Sequence, residues 1–361
     1  MPDLKANTTN ASKSQPAAFF QVAYQAYRRA EEVMGGPINR FYEIAGYPIC
    51  LRFAGSALIS PLTPALQHLA TRPVPTPALT VCLWDSASTG TPMPPPPWAA
   101  SDYLARQEVR GYNDERIQTT FDVAAGVLSM LDIRQQLAVY WTRDAHRLPT
   151  YERGAPLRAI LHRFLRHHGR QLVHAGAVGT RTGGVLLAGK SGAGKSTTAL
   201  ACIDSLDSKL LYASDDYCLL ATEPAPYIYS LYNSAKLDVE HMSRRVPHLR
   251  SLISNPEELE TEKALFFVSQ HHPEKITTGF PLRAILLPHV TGRPESTLAP
   301  ASPIAALKAL APSSIFQLSG AGQADFQAMA KLVKQVPCYH LELGTELTRI
   351  PEIILELLGE E

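Results

Sequence analysis

The chain has no CxxC pair, and its five cysteines, Cys50, Cys82, Cys202, Cys218 and Cys338, leave an odd count. A disulfide framework and a zinc finger both need paired spacings, so neither is expected, and the pattern fits a reducing cytoplasm. Long apolar runs are missing too. Ala284-Ile285-Leu286-Leu287 is typical of the longest, far short of the ~20 residues of a membrane helix. The N-terminus carries Asp3 and Lys5 and then stays polar to Gln15, without the apolar stretch of a secretory signal. The Asn-x-Ser/Thr sequons near the start are then chemically idle. Charge of one sign is also absent: 34 Lys+Arg against 33 Asp+Glu give +1, which excludes a polyanion binder relying on its overall field. The expectation is a soluble cytoplasmic protein with no nucleic-acid partner and no membrane partner.

What is present is enough apolar material for a core. The 361 residues are 45% hydrophobic and 19% charged, sufficient for one large or two ordinary domains. Many of the 29 prolines crowd the first hundred residues. Residues 1–17 read as a disordered lead-in, and Phe19 to Val33 as a helix stopped by Gly35-Gly36-Pro37. Short strands follow at Tyr47 to Ala54, Leu79 to Trp84, Ile117 to Val123 and Leu137 to Trp141. The run Pro92-Met93-Pro94-Pro95-Pro96-Pro97-Trp98 has no ladder donors to offer and reads as an extended connector. Residues 18–150 are thus expected to form a strand-rich N-terminal domain.

From Pro156 the text changes. Leu157, Ile160, Leu161, Phe164 and Leu165 mark one stripe of a helix, whose other face, with Arg158, His162, Arg163, Arg166 and His167, reads as solvated. Leu172 to Val178 and Val185 to Ala188 read as buried strands, Thr197 to Leu206 as a helix and Lys209 to Ala213 as a strand. Phe326 to Val336 gives a helix, Cys338 to Leu343 a strand and Pro351 to Leu358 a closing helix. Alternating strands and helices predict an α/β domain over residues 151–361. Within it, His241 to Lys275 is charge-rich and reads as a lid or loop.

The chemistry gathers in one stretch. Gly189-Lys190-Ser191-Gly192-Ala193-Gly194-Lys195-Ser196 matches GxxxxGK[ST] at every fixed position. The glycines free backbone N–H groups to curl around phosphates, and the next helix adds its positive end. Gly189, Ser191, Gly192, Ala193, Gly194, Lys195, Ser196 and Thr197 are therefore the candidate nucleotide contacts. Lys195 is placed on the β- and γ-phosphates and the Ser196 hydroxyl on Mg²⁺. Asp215-Asp216 ends the next strand, where a Walker-B acid holds metal. In extended chain the two acids point in different directions, one to Mg²⁺ and one to an acceptor hydroxyl. Lys236, after Tyr227-Ile-Tyr-Ser-Leu-Tyr232-Asn-Ser-Ala, is a weaker candidate for a substrate's negative charge. Two other motifs fail. Leu318-Ser319-Gly320-Ala321-Gly322-Gln323 has a residue too many, and the wrong order, for a transporter ATPase signature. Ala235-Lys236-Leu237-Asp238 lacks the Asn of a guanine reader.

Taken in order, His174-Ala-Gly-Ala-Val, Gly184-Val-Leu-Leu-Ala-Gly-Lys-Ser-Gly-Ala-Gly-Lys-Ser and Ala213-Ser-Asp-Asp resemble the HPr kinase/phosphorylase family. The likeness covers about residues 170 to 220. It implies a P-loop kinase core of the HPr-kinase type, using ATP and Mg²⁺ to phosphorylate a serine hydroxyl. The resemblance implies Asp216 as general base, Asp215 as metal ligand and His174 in support. The family's Glu-x-Arg-Gly signature is absent, as no Arg-Gly follows residue 154. The chain looks more like HPr-kinase-related proteins that resemble lasso-peptide tailoring kinases. The expected partner is a protein or peptide bearing the acceptor serine, with a homo-oligomer possible. A small-molecule hydroxyl kinase and a nucleotide-switched regulatory ATPase are the alternatives.

Overall fold

The computed structural model describes residues 5–204, 209–240 and 247–360. They divide into two compact units. One holds residues up to Thr63, Ala70–Phe164 and Leu318–Gly320; the other holds Pro64–Leu69, Leu165–Gln317 and Ala321 onward. The first unit has helix α1 (Lys5–Val33) and strands β1 (Pro37–Ile44), β2 (Tyr47–Ala54), β3 (Leu79–Asp85), β4 (Ile117–Asp122), β5 (Val127–Asp132) and β6 (Leu137–Thr142). They form one sheet in the order β1-β2-β3-β6-β5-β4. Helix α1 buries Phe19, Phe20, Ala23, Ala26, Tyr27 and Ala30 in the same cluster as Trp84, Met130, Val139 and Trp141. Its start at Lys5 replaces the disordered lead-in expected over much of residues 1–17; residues 1–4 lie outside the described ones. The proline run has no regular structure, and Trp98 at its end is buried beside Phe19 and Tyr112.

The units part between Phe164 and Leu165, within helix α2 (Arg158–His167), and not at residue 150. Phe164 packs edge-on to Tyr47, with ring centroids 6.2 Å apart, which ties this helix, up to Phe164, to the first unit's sheet. Its polar face is not solvated throughout. His162 is fully buried and Arg163 nearly so, and Arg163 Nη1 donates to Asn113 Oδ1 at 3.1 Å. Periodicity shows which positions are apolar, but not that a distant segment supplies a buried cation's acceptor.

The second unit is α/β. Its strands are β7 (Gln171–His174), β8 (Gly176–Gly179), β9 (Gly184–Leu187), β10 (Leu211–Ser214), β11 (Tyr217–Ala221), β12 (Tyr227–Ser230), β13 (Ser234–Leu237), β14 (Ala264–Phe267), β15 (Gly279–Val290), β16 (Thr297–Ala301) and β17 (Cys338–Leu343). Nine of them run β10-β8-β9-β15-β12-β11-β7, with β17 beside β15 and β16 beside β17; β13 and β14 pair apart from these. Alternate side chains of the parallel strands face opposite layers. Val185, Leu187, Ala284 and Leu286 share a cluster with helices α3 (Lys195–Asp204) and, further on, α6 (Arg349–Leu358). Leu186, Ala188, Ile285 and Leu287 share the other with α4 (Pro303–Gln317) and α5 (Gln323–Gln335). Helices on both faces explain why these strands read as unbroken apolar runs.

Two expectations change here. Leu172 to Val178 is two strands, because the chain turns at Ala175 from β7, paired with β11, to β8, paired with β10. An apolar run conceals such a break, since both halves are buried. The charged segment from His241 contains β14, whose Ala264, Leu265, Phe266 and Phe267 are all buried; residues 241–246 lie outside the described ones. All five cysteines are free and buried. No helix among the described residues is long and apolar enough to cross a membrane.

Candidate functional site

The site lies where two strand pairs break side by side. β7 and β8 are separated by Ala175, β10 and β11 by Asp215-Asp216, and each strand of one chain segment pairs antiparallel with one of the other. His174 is in register with Tyr217, which sets it beside the residue before, Asp216. A register shift between Tyr212 and Ser214 puts an extra residue into β10 just upstream of the acids. Such bulges turn the chain and re-aim the side chains beyond them. Both acids consequently line one cleft, together with His174, Lys195, Ser196 and Lys236, and do not face apart as an unbroken strand would have them.

Their surroundings differ. Asp216 accepts from both sides, with His174 Nε2 at 2.8 Å from Oδ1 and Lys236 Nζ at 3.0 Å from Oδ2. Burial opposes its charge, but the Lys236 ammonium and the hydrogen bond from His174 outweigh it and hold the carboxylate well below the usual range. His174 is itself fixed: its backbone N–H donates to Ser314 Oγ at 3.0 Å, and its ring tilts over Tyr217 with centroids 5.2 Å apart. Asp215 is 2% exposed. Its Oδ2 accepts the Lys236 backbone N–H at 2.9 Å, while its Oδ1 is buried and has no hydrogen-bond partner. Burial raises its pKa, and the Lys236 N–H and Ser196 hydroxyl offset only part of the rise.

The glycine-rich loop leaves β9 and enters α3 at Lys195, whose ammonium donates to the carbonyls of Gly189 at 2.8 Å and Lys190 at 3.3 Å. Burial lowers the Lys195 pKa, with the two aspartates pulling the other way. Gly194 takes φ +106°, and a Cβ there would lie 2.4 Å from Leu343 Cδ1, so only glycine fits between loop and β17. Ser191, Gly192, Gly194, Lys195, Ser196 and Thr197 line the cleft. Gly189 and Ala193 do not; they meet at the base of the loop, where a Cβ on Gly189 would come 2.9 Å from Ala193 Cβ.

Among the described residues no cluster of three or more His, Cys, Asp or Glu could hold a metal unaided. Mg²⁺ does not require one, since it takes one or two protein oxygens together with phosphates and waters. The buried, unpartnered Asp215 Oδ1 and the neighbouring Ser196 hydroxyl are chemically suited to it. Sequence reasoning passed over Lys263 and the apolar residues Val290, Leu343 and Leu347, all of which line the same cleft.

No protein-family model matches the chain, and no curated protein matches it. Among solved structures it is similar to the Hpr(Ser) kinase/phosphatase from Coxiella burnetii, at 13% identity and a TM-score of 0.31, over 53% of this chain and 97% of that one. A likeness at that level is distant at most.

Proposed function

We propose that the second unit is an ATP- and Mg²⁺-dependent kinase that transfers the γ-phosphoryl group to a serine-type hydroxyl of a protein or peptide. The observation that carries it is the division of labour between adjacent acids. Asp215 keeps a buried oxygen free beside Ser196, and Asp216 stands ionised between His174 and Lys236 in the same cleft as the glycine-rich loop. A nucleotide switch needs only the first of these. The loop N–H groups and the N-terminus of α3 would take the phosphates, and Lys195 would turn from its two carbonyls to the β- and γ-phosphate oxygens. Asp215 and Ser196 would hold Mg²⁺, which neutralises phosphate charge when bound.

In the transfer, the acceptor oxygen forms its bond to the γ-phosphorus as the bond from that phosphorus to the β–γ bridging oxygen breaks. The electron pair leaves with ADP, and the hydroxyl proton passes to an Asp216 oxygen. His174 orients that carboxylate through its Nε2. Lys236, released to a phosphate oxygen, would leave Asp216 a stronger base than it is at rest.

Asp216→Asn tests the reading. Mg·ATP affinity by calorimetry should stay within a few-fold, whereas phosphate transfer from γ-³²P-ATP to peptide or protein serine should fall by about 10²–10⁴. Transfer at the wild-type rate would remove Asp216 as base. Wild-type protein that hydrolyses ATP but phosphorylates no acceptor would favour the regulatory ATPase.

A further inference from the structure

The charge-rich segment before β14 brings a third lysine to the cleft. Lys263 lines it together with Lys195 and Lys236. Lys236 is paired with Asp216 and Lys195 with backbone carbonyls, but among the described residues no carboxylate pairs with Lys263. Its backbone is nonetheless firmly placed. The fully buried Asn255 donates from Nδ2 to the Lys263 carbonyl at 3.0 Å and accepts from the Leu265 N–H at 2.8 Å. The Ser254 N–H adds a bond to the Leu265 carbonyl at 2.8 Å. One residue later the chain joins β13, with Ala264 opposite Leu237 and Leu265 opposite Lys236. The two-stranded ribbon thus carries Lys236 on one strand and has Lys263 at the start of the other.

We propose that Lys263 is a further catalytic residue, contacting the γ-phosphoryl group and stabilising the negative charge that builds on its oxygens during transfer. The assignment rests on the kinase reading above and deepens it. Lys263 is close enough to Lys195 for the two charges to repel. Asp215 and Asp216 favour the Lys195 charge from within the same cleft, whereas Lys263 opposes it, and a phosphate entering between the two lysines removes that repulsion. Lys195, from the loop side, meets the bridging region of the triphosphate. Lys263, from the ribbon side, meets the end that moves. As the bond to the β–γ bridging oxygen breaks and the acceptor oxygen bonds to phosphorus, Lys263 neither gains nor loses a proton. Its contribution is electrostatic and grows as the phosphoryl group separates.

Two nucleotide probes separate ground state from transition state in the full chain: Mg·AMP-PNP, and Mg·ADP with aluminium fluoride. Lys263→Gln should bind Mg·AMP-PNP within a few-fold of wild type but bind the fluoride complex about 10²–10³ less tightly, as expected for losing a donor specific to the transition state. Lys263→Arg should recover most of that loss. The side chain is exposed, so an unchanged melting midpoint should accompany both. Equal weakening of the two probes, or of neither, overturns the assignment. Wild-type protein that binds neither probe overturns the kinase reading itself, a result distinct from a normal wild type with an unaffected Lys263→Gln.

Discussion

His174 lies opposite Tyr217 across β7 and β11, and this register brings its Nε2 within 2.8 Å of Asp216 Oδ1. The His and the acid are far apart in the chain, so backbone pairing, not local sequence, makes their contact.

That arrangement separates the roles of the two lysines nearest the acids. Lys195→Ala should abolish nucleotide binding by calorimetry, because it removes the cation at the loop, while Lys236→Ala should bind Mg·ATP yet transfer phosphate more slowly. Retention of wild-type nucleotide affinity by Lys195→Ala would exclude the loop as the phosphate site.

Gly194 offers a steric test. Gly194→Ala places a methyl 2.4 Å from Leu343 Cδ1 at a φ that side chains rarely adopt. The loop must shift, and nucleotide affinity should fall at least tenfold, equivalent to about 1.4 kcal/mol. Leu343→Ala in the same chain should recover part of it by vacating the space, whereas no recovery would make backbone strain the whole cause.

The two acids give opposite pH behaviour. Burial raises the Asp215 pKa, so as pH falls through that raised value a proton competes with the metal. Asp216 is held ionised far lower and should not contribute. The Mg²⁺ concentration needed for half-maximal nucleotide binding should therefore rise as pH is lowered towards the carboxylate range, and Asp215→Asn should flatten the dependence. A wild-type Mg²⁺ requirement that stays constant as pH is lowered would remove Asp215 from the metal site.

His68 gives a stability test away from the cleft. It hydrogen-bonds Ser230 Oγ at 2.7 Å and Asn233 Nδ2 at 3.2 Å, and burial lowers its pKa to about 3. The unfolded chain binds a proton near pH 6.5, and the folded chain does not until near pH 3. Stability from this group is thus complete above about pH 6.5 and is lost as pH falls, by about 2 kcal/mol from pH 7 to 5. Urea midpoints at the two pH values, compared between wild type and His68→Asn, measure it; equal drops in both would clear His68.

Much of the site was legible because it is local. The loop, the strand before it and the helix after it are contiguous, and the acid pair comes at the end of a strand. The rest depended on pairing across the sheet. Leu172 to Val178 reads as one strand because both sides of Ala175 are apolar and buried, so the break that delivers His174 leaves no trace in composition. Lys263 escaped notice among the charges from His241 to Lys275, although Ala264-Leu265-Phe266-Phe267 beside it signalled a buried strand. In the first unit, β1 was missed because Asn39 and Glu43 on one face and Arg40 on the other interrupt the apolar alternation of an edge strand. His162 and Arg163 occupy polar positions of α2 by spacing, yet the fold covers them.

Strand β15 belongs to both halves of the nine-stranded sheet: it pairs with β12 at Gly279–Pro281, then with β9 and β17. Neither half can come apart while this strand holds, so a transient opening that exposes the acid pair must leave it in place or dismantle everything at once. Its central amides should be the last in the unit to exchange with deuterium, and their exchange should report global unfolding. The cleft is thus built against this strand, whose last residue, Val290, lines it beside Gly194 of the loop.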